Sequence, residues 1–441
     1  MSLDKTLTFQ LSQGALEKFV LIVLSVGLYG TITNNILLSP LPSAIAFLLL
    51  IPVLVSGGIR YVPKFVVWLY LFFLICIAST LTYYAPSLVD YGFYRYDGNF
   101  IISYLPLLVF PFFSFKISVE RVLKKFSYFV IAVNLLFYVV FFIKTKGGCL
   151  LNPSAEDNTF NPFFKATNAA GGFYSILASL VIGFYLEGRR KIYLFLGLLV
   201  FLFLWGTTSR GSILGLAISV AFYFLYRKGQ KWLIAAAIIV ILIVQGVIVC
   251  NTYPYYKAFL LDSEDIGEDT RLYLDATYGG QDTKESNVYI RAFDTWPRGT
   301  TLFLNSPLIG SGFGSVNDLP IKLNSGWPGI VSFNGSKNHV FNDSHAHHSY
   351  LHFLAEVGIL GLVVFLCFWN KMFVFIRSEN TKISASVKTF LFIAMFNLAA
   401  MSFTEHRITT PSNVLPFVII FCIAVINHNY ESSLRKPRDY R

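Results

Sequence analysis

Apolar runs long enough to cross a membrane recur along almost the whole chain, from Phe19 to Ile426. Hydrophobic residues make up 55% of the 441 positions and charged residues only 13%, which is too few for a water-soluble surface of this size. A bilayer core offers no water to backbone amides, so only helices or closed barrels span it, and the alternation that a barrel strand requires is missing here. The sequence therefore predicts an all-α polytopic membrane protein.

Hydropathy also predicts the number and position of the membrane spans. Twelve segments qualify, and they place nine helices in residues 1–250, a large polar loop in residues 251–346, and three helices with a basic tail in residues 347–441. The first two spans are short, so longer, tilted and interfacial helices all remain open there. The predicted spans are 17–30, 42–55, 65–82, 100–115, 126–143, 168–186, 192–205, 213–225, 232–250, 350–375, 389–403 and 413–426.

Basic residues mark every second connection between the predicted spans. Lys and Arg cluster in connections such as 116–125, 189–191 and 371–388, whereas most Asp and Glu lie in the alternate connections. Because positively charged connections stay in the cytoplasm, we expect both termini inside and the loop at 251–346 outside. The net charge of +11 then follows from topology and gives no reason to expect a nucleic-acid partner.

The five cysteines divide into two groups. Cys76, Cys367 and Cys422 lie within predicted spans, where a cysteine is most simply a small core residue. Cys149 and Cys250 both fall near the outer face, and a disulfide between them is one interpretation. Spacing alone is a weak basis for that pairing.

The outer loop is far longer than a connector needs, and loops of this length are usually functional or disordered. Its aromatic and aliphatic residues favour a folded lid. Residues 288–304 interleave apolar side chains with Arg291 and Arg298, which predicts short helices lying at the membrane surface, kinked or divided at Pro297. The following Gly-Ser-Gly-Phe-Gly at 310–314 has the look of a phosphate-binding loop, but it lacks a strand-to-helix context, so a tight turn is the better interpretation.

A histidine cluster stands where this loop enters the next apolar span. Residues 344–358 read Ser-His-Ala-His-His-Ser-Tyr-Leu-His-Phe-Leu-Ala-Glu-Val-Gly. An imidazole titrates near neutral pH and can take a proton from a hydroxyl, so His347 is the candidate general base. Zinc binding by His345, His347, His348 and His352 is the competing interpretation; the adjacent histidines and the lack of a clear carboxylate or thiolate partner favour acid/base chemistry.

Two arginines on the same outer side are candidates for binding an anion. Arg210 lies in the short connection Thr-Thr-Ser-Arg-Gly-Ser at 207–212, where its guanidinium is held close to the lipid boundary and needs an anionic partner. The alternative is an arginine that extends to a lipid phosphate. Arg291 is the second candidate, although a loop arginine also commonly serves solubility alone.

Further outward-facing polar residues complete the set of candidates. Arg95 and Asp97 lie in the aromatic and polar segment 94–99, which suits sugar binding or an interfacial aromatic belt. Glu356 lies one or two helical turns into the membrane from His347, where it orients a histidine or arginine or pairs structurally. The run Glu-His-Arg at 405–407 faces outward at the end of a span and is placed to line the same cavity.

Three of these motifs occur together in one order. They are Thr-Ser-Arg-Gly-Ser at 208–212, Leu-Ile-Gly-Ser-Gly-Phe-Gly at 308–314, and the histidine-to-glycine segment at 347–358. In this combination the chain resembles the superfamily of O-antigen ligases and Wzy-type O-antigen polymerases, over roughly residues 168–375. The histidine-to-glycine segment is the most specific of the three.

The resemblance implies a metal-independent, cofactor-free glycosyltransferase of the bacterial inner membrane with its active site facing the periplasm. Such an enzyme takes a glycan from undecaprenyl pyrophosphate and passes it to a sugar hydroxyl. By motif position, Arg210 and Arg291 would bind the pyrophosphate and His347 would be the general base. The family often has asparagine after that histidine, so His348 stays an alternative base. Supporting or glycan-binding roles fall to Arg95, Asp97, Arg298, Glu356 and Arg407.

The resemblance leaves the acceptor open. A polymerase passes the glycan to another lipid-linked glycan, whereas a ligase passes it to the lipid A core oligosaccharide; inner-membrane lipids and a chain-length regulator are the other implied partners. The polar segment at 94–99 and the long loop suggest several glycan-binding surfaces, which slightly favours a polymerase. A transporter of lipid-linked sugars is the alternative from another class, but transporters more often carry broken helices near mid-membrane, and here the polar residues gather on one face.

Overall fold

The computed structural model describes residues 63–83, 100–164, 167–260, 291–312, 315–316 and 346–434, together with isolated residues between 18 and 29. Within these ranges the chain forms helices, turns and irregular segments and no strand, as the sequence predicts. The predicted span at 42–55 and the segment at 94–99, with Arg95 and Asp97, lie outside the described residues, as do His345 and half of the first span. The described helices are α1 (Lys64–Tyr83), α2 (Phe100–Val109), α3 (Val119–Lys144), α4 (Gly148–Leu151), α5 (Thr167–Gly188), α6 (Lys191–Gly206), α7 (Arg210–Arg227), α8 (Lys231–Leu260), α9 (Trp296–Asn305), α10 (Ser349–Arg377), α11 (Ala385–Met401) and α12 (Pro411–Ser433).

Six of the described helices are long and apolar enough to cross a membrane, namely α1, α3, α5, α8, α10 and α12. The segments Ser103–Phe112, Lys191–Gly206 and Ala385–Met401 are apolar but shorter. The chain is thus a multi-pass helical membrane protein, and the described part supports six full-length spans where the sequence alone predicts more. Helix α7 is the clearest difference, because an arginine stands at each of its ends.

The helices sort into central and peripheral positions. Most side chains of α5 and α12 are buried, and α11 packs between its neighbours with Phe390, Leu391 and Ile393 fully covered. By contrast, α8 presents Val240 and Ile243 more than half exposed, and nearly all of its apolar window is uncovered. Exposed aliphatic side chains of this kind suit contact with lipid. The central helices therefore form the scaffold, and α8 lies at its edge.

Helix α10 is broken at Gly358, where φ is 66° and ψ is −169°. The segment that follows α9 packs against this break: the amides of Ile359 and Leu360 donate to the carbonyls of Pro307 and Leu308 at 2.9 and 3.1 Å. In return, Ser311 donates to Ala355 at 2.8 Å. Gly310 and Gly312 have positive φ, so the described part of the glycine segment is a tight turn, as predicted, that packs on α10.

Three local expectations can be compared with the structure directly. Pro297 is the second residue of α9 and separates it from a π-helical turn at Arg291–Thr295, so it divides the loop helices as predicted. The disulfide interpretation is wrong, because Cys149 and Cys250 are both free: Cys149 is buried in α4, whereas Cys250 is exposed on α8. Helix α8 itself continues ten residues past the predicted end of its span, to Leu260.

Candidate functional site

The connection between α11 and α12 is a buried loop rich in polar side chains. Glu405, His406 and Arg407 are 4, 9 and 2% exposed, so the protein must satisfy their hydrogen-bonding groups internally. The loop is tied to the start of α10, where the Ser349 amide donates to Ser402 at 2.9 Å and the Ser349 hydroxyl donates to the Glu405 carbonyl at 3.1 Å. The N-terminus of α10 and this loop are therefore one structural unit.

The Glu405 carboxylate is the centre of the site. Its Oε2 lies 3.2 Å from Nδ1 of His347, and its Oε1 accepts from Nη2 of Arg291 at 2.5 Å. Asn168, at the start of α5, also donates to Oε1, at 3.2 Å. A single carboxylate thus joins the candidate base and one candidate phosphate-binding arginine, which are 56 positions apart in sequence.

The charges around Glu405 keep it ionised. Burial by itself raises the pKa of a carboxyl group. Here the hydrogen bond with His347 and the positive charges of Arg291, His347 and Arg407 outweigh burial and lower the pKa of Glu405 well below its ordinary value of 4.5. The carboxylate is therefore a fixed negative charge at neutral pH.

Arg407 fastens the loop to three other elements. Its Nη1 donates to the Asn168 carbonyl at 2.5 Å and to Oδ1 of Asn413 at 2.9 Å. Its Nη2 reaches the hydroxyls of Ser209 and Ser212 at 3.4 and 3.3 Å. Because these partners stand at the starts of α5, α12 and α7, this arginine aligns three helix ends around Glu405.

His347 has a left-handed backbone conformation, with φ at 47°. The preceding residue, Ala346, is fully buried and its carbonyl accepts from the hydroxyl of Thr295 at 3.2 Å. The π-helical turn that carries Arg291 is therefore packed directly against the histidine segment. Nδ1 of His347 is directed to Glu405.

His348 directly follows His347 in the sequence, but its side chain has a structural role. It is the N-cap of α10, and its Nδ1 accepts from the Leu351 amide at 3.1 Å. Its Nε2 lies 3.0 Å from Oε1 of Gln245 on α8, and Nε2 of Gln245 in turn donates to the Phe403 carbonyl at 2.6 Å. Because Nδ1 accepts, the proton is on Nε2, and burial lowers the pKa of His348 to about 4.

Replacing His348 by asparagine is expected to make the protein more tolerant of mild acid. In the native protein the unfolded chain takes up a proton at an ordinary pKa of 6.5 and the folded protein does not, so stability falls as the pH drops from 6.5 toward 4. Between pH 6.5 and about pH 5 the loss amounts to about 2 kcal/mol. Asparagine keeps the N-cap and removes this titration.

The measurement is the thermal unfolding temperature in detergent as a function of pH, for native protein and His348→Asn. The window above pH 5 excludes Glu405, whose pKa lies below 4.5. Parallel curves for the two proteins would contradict a buried, neutral His348.

The other candidate residues, Arg210, Arg298 and Glu356, differ in their exposure and in their contacts. Arg210 is the first residue of α7, one position after the Ser209 that contacts Arg407. It is exposed, and its side chain makes no hydrogen bond or ion pair with any described residue. Arg298 is buried within α9. Glu356 is fully buried and lies 3.3 Å from His352, one turn earlier on α10, so it pairs with a histidine other than His347.

A metal ion is a chemical option at this centre. Among the described residues, ligand atoms of His347, Glu405 and His406 lie within 4.8 Å of one another. The sequence gave no reason to pair a carboxylate with these histidines, and the fold brings Glu405 to His347. Arg291 contacts one oxygen of this carboxylate, Oε1, whereas His347 and His406 lie 3.2 and 3.8 Å from the other, Oε2. The guanidinium therefore already supplies one positive charge to the same carboxylate.

Sequence reasoning missed two residues that shape the site. Gln245 and Asn168 hold His348 and Glu405, respectively. The signal for Gln245 was present, because it interrupts a long apolar run in α8 and an amide at membrane depth is costly without a partner. Asn168 stands at the start of a predicted span and had no comparable signal.

Comparison with known families bears on the part of the chain that contains most of these residues. Residues 195–366 match the family model described as O-antigen ligase. The match includes Arg210, Arg291 and His347 and ends before Glu405. It confirms the resemblance seen in the sequence motifs, and it supports a glycosyltransferase-type membrane enzyme. No curated protein matches the chain at a significant level.

Proposed function

We propose that this protein transfers a glycan from undecaprenyl pyrophosphate to a sugar hydroxyl at the periplasmic face of the bacterial inner membrane, with both termini in the cytoplasm. The observation that carries the proposal is the double engagement of Glu405, which contacts Nδ1 of His347 through one oxygen and Arg291 through the other. Such an arrangement sets a proton acceptor beside a positive charge, and transfer from a pyrophosphate needs both.

His347 acts as the general base in this proposal. A carboxylate at Nδ1 holds the proton on that nitrogen and leaves the Nε2 lone pair to accept the acceptor hydroxyl's proton. The acceptor oxygen attacks the anomeric carbon, and the bond to the pyrophosphate oxygen breaks with its electron pair. Glu405 stabilises the imidazolium that results. Direct displacement inverts the anomeric configuration, and a product with retained configuration would contradict this step.

In this proposal, Arg291 and Arg210 stabilise the negative charge that develops on the pyrophosphate leaving group. A guanidinium is a planar fork of donors that remains charged without a metal. Arg291 stands beside the base, and Arg210 projects from the N-terminus of α7, where the helix dipole also favours an anion. Because Arg291 already neutralises Glu405, we propose a metal-independent reaction, which a chelator should leave unchanged.

The choice of acceptor rests on different observations. The long loop and the polar segment at 94–99 favour a polymerase that extends one lipid-linked repeat unit with another. The description of the matched family favours the second candidate, a ligase that transfers the glycan to the lipid A core. A chain-length regulator would be a partner of the polymerase.

Reconstitution of the purified protein tests both the reaction and the acceptor. Proteoliposomes receive an undecaprenyl pyrophosphate-linked repeat unit, with or without lipid A core oligosaccharide, and the products are resolved by chain length. Lengthened lipid-linked chains without core support the polymerase, and product on core alone supports the ligase. If the lipid-linked sugar crosses the membrane but no glycan is transferred in either condition, the protein is a transporter and not a glycosyltransferase.

In the same assay, Arg210→Gln is expected to lower kcat on the order of 10²-fold, because it removes one donor to the developing charge of the leaving group. Arg227→Gln, at the opposite end of α7, is the matched control and should retain native activity. If Arg210→Gln and Arg227→Gln were equally active, Arg210 would have no role in the transfer reaction.

A further inference from the structure

A line of hydrogen bonds connects Glu405 with the turn that carries Arg210. The amide nitrogen of Asn168 donates to Oε1 of Glu405 at 3.2 Å, and the hydroxyl of Ser209 donates to Oδ1 of Asn168 at 3.4 Å. A carboxylate only accepts, so the amide turns its nitrogen toward Glu405 and its oxygen toward Ser209. Ser209 is the N-cap of α7 and directly precedes Arg210. One side chain on α5 therefore links the partner of His347 with the neighbour of Arg210.

We propose that Asn168 is a positioning residue, which fixes Arg210 at a set distance from the general base. This role rests on the proposed glycan transfer, in which Arg210 stabilises the pyrophosphate and His347 takes the proton of the acceptor. Both groups act on the same substrate, so the distance between them has to match that substrate. A displacement of about 1 Å can cost on the order of 10²-fold in rate.

The turn before α7 is the part that depends on this contact. Glu405 is also bound from other sides, by Arg291 at 2.5 Å and by His347 at 3.2 Å. Arg210 is exposed, so the backbone of its turn decides where its guanidinium lies. Thr208 in the same turn has a left-handed backbone with φ at 59°, which costs free energy for a β-branched residue and persists only where the surroundings stabilise it. Loss of the amide contact therefore displaces the arginine more than the carboxylate.

Close packing at the start of α5 supports the same role. A Cβ added to Gly171 would lie 2.3 Å from the Cβ of Ser209, so the two residues touch only because position 171 has no side chain. Ser209 is 3% exposed, and its hydroxyl lies 2.8 Å from that of Ser212. Each hydroxyl has one proton, so Ser212 donates to Ser209 when Ser209 donates to Asn168. The first turn of α5 therefore stabilises the turn before α7 by packing as well as by hydrogen bonding.

The side chain of Asn168 can be removed without removing every contact at this helix start. Nη1 of Arg407 donates to the main-chain carbonyl of Asn168 at 2.5 Å, a contact that alanine retains. Asn134 on α3 offers a matched control, because it also joins two helices: its Oδ1 accepts from the hydroxyl of Tyr174 on α5 at 2.5 Å. Its amide nitrogen donates to the Val130 carbonyl at 2.8 Å. Both of these partners lie outside the candidate site.

Single-turnover transfer in proteoliposomes, measured over a range of donor concentrations, tests the role of Asn168. Native protein is compared with Asn168→Ala, Arg210→Gln, their double variant and the control Asn134→Ala. The rate constant reports the active molecules alone, whereas the unfolding temperature in detergent reports the structural cost of each substitution. Ser209→Ala, which removes the other end of the same link, is the second variant should Asn168→Ala fail to fold.

We expect Asn168→Ala to lower the rate constant at saturating donor by about 10-fold to 10²-fold, with the half-saturating donor concentration within about threefold of native. In the Arg210→Gln background the same substitution should change the rate by less than about threefold, because no guanidinium remains to be positioned. Ser209→Ala should behave like Asn168→Ala. Asn134→Ala should lower the unfolding temperature and keep the native rate constant.

A native rate constant in Asn168→Ala would overturn the positioning role and leave the proposed transfer intact. An equal loss with and without the Arg210 guanidinium would do the same, because Asn168 would then not act through Arg210. If Asn134→Ala slowed the rate constant as much as Asn168→Ala, the loss would be a general effect of helix packing. If native protein transferred no glycan to either acceptor, the proposed function would fail and the positioning role with it.

Discussion

Replacing His347 by asparagine is expected to lower the rate of glycan transfer by about 10²- to 10⁴-fold while the protein stays folded. Asparagine tolerates the left-handed backbone found at this position, where φ is 47°, better than alanine does. Its amide can still donate to Glu405, but it cannot accept a proton at neutral pH. The measurement is single-turnover transfer from the lipid-linked donor in proteoliposomes, which isolates the chemical step from donor loading.

The same substitution at the next residue is the matched control. Asparagine is a strong N-cap, so His348→Asn should keep the start of α10 and remain within a few-fold of native activity. The two variants therefore differ in which imidazole is lost and not in the residue introduced. If His348→Asn were slow and His347→Asn remained active, His348 would be the general base and the assignment of His347 would be wrong.

The sequence predicts the described helices well because hydropathy is a local property. Helices α3 and α5 contain their predicted spans, and the position of the break at Pro297 follows from the missing amide of proline. Length was harder to predict, since the end of a helix depends on its surroundings. Thus α8 passes its predicted end, and α7 is less apolar than a full span.

The sequence indicated the residues of the site but not the contacts between them. His347 and Glu405 were both visible as outward-facing polar residues, but their contact joins positions 58 apart through the packing of α10 on the loop after α11. The same is true of Arg291, whose partner depends on how the outer loop folds back. Local patterns identify the chemical groups, whereas tertiary packing decides which groups meet.

The division of roles between His347 and His348 shows this most clearly. The two side chains are neighbours with the same chemistry, and the sequence left the base open between them. Backbone geometry separates them, because the left-handed conformation at His347 sends its ring toward Glu405 while His348 caps α10. One polar residue on another helix, Gln245, completes that separation.

Replacing Gly358 by alanine is expected to destabilise the protein by several kcal/mol, about 2–6, which is a large share of the stability of a typical protein. A Cβ at this position would lie 2.4 Å from the backbone carbonyl of Leu308, and the φ of 66° is itself unfavourable for alanine. Neither strain can relax by a side-chain rotation, because the neighbour is backbone. The break in α10 would have to straighten or the Pro307–Leu308 segment would have to leave it.

Thermal unfolding in detergent measures this effect, with Gly246→Ala as the control. Gly246 lies in α8, and an alanine Cβ there would meet no described heavy atom within 4 Å, so the substitution should be neutral or stabilising by up to about 1 kcal/mol through helix propensity. The first half of α10 carries the His348 cap and adjoins His347, so Gly358→Ala should also slow transfer in whatever fraction remains folded. Native stability in Gly358→Ala would mean that α10 does not need the break, and that the glycine turn after α9 does not hold the base in position.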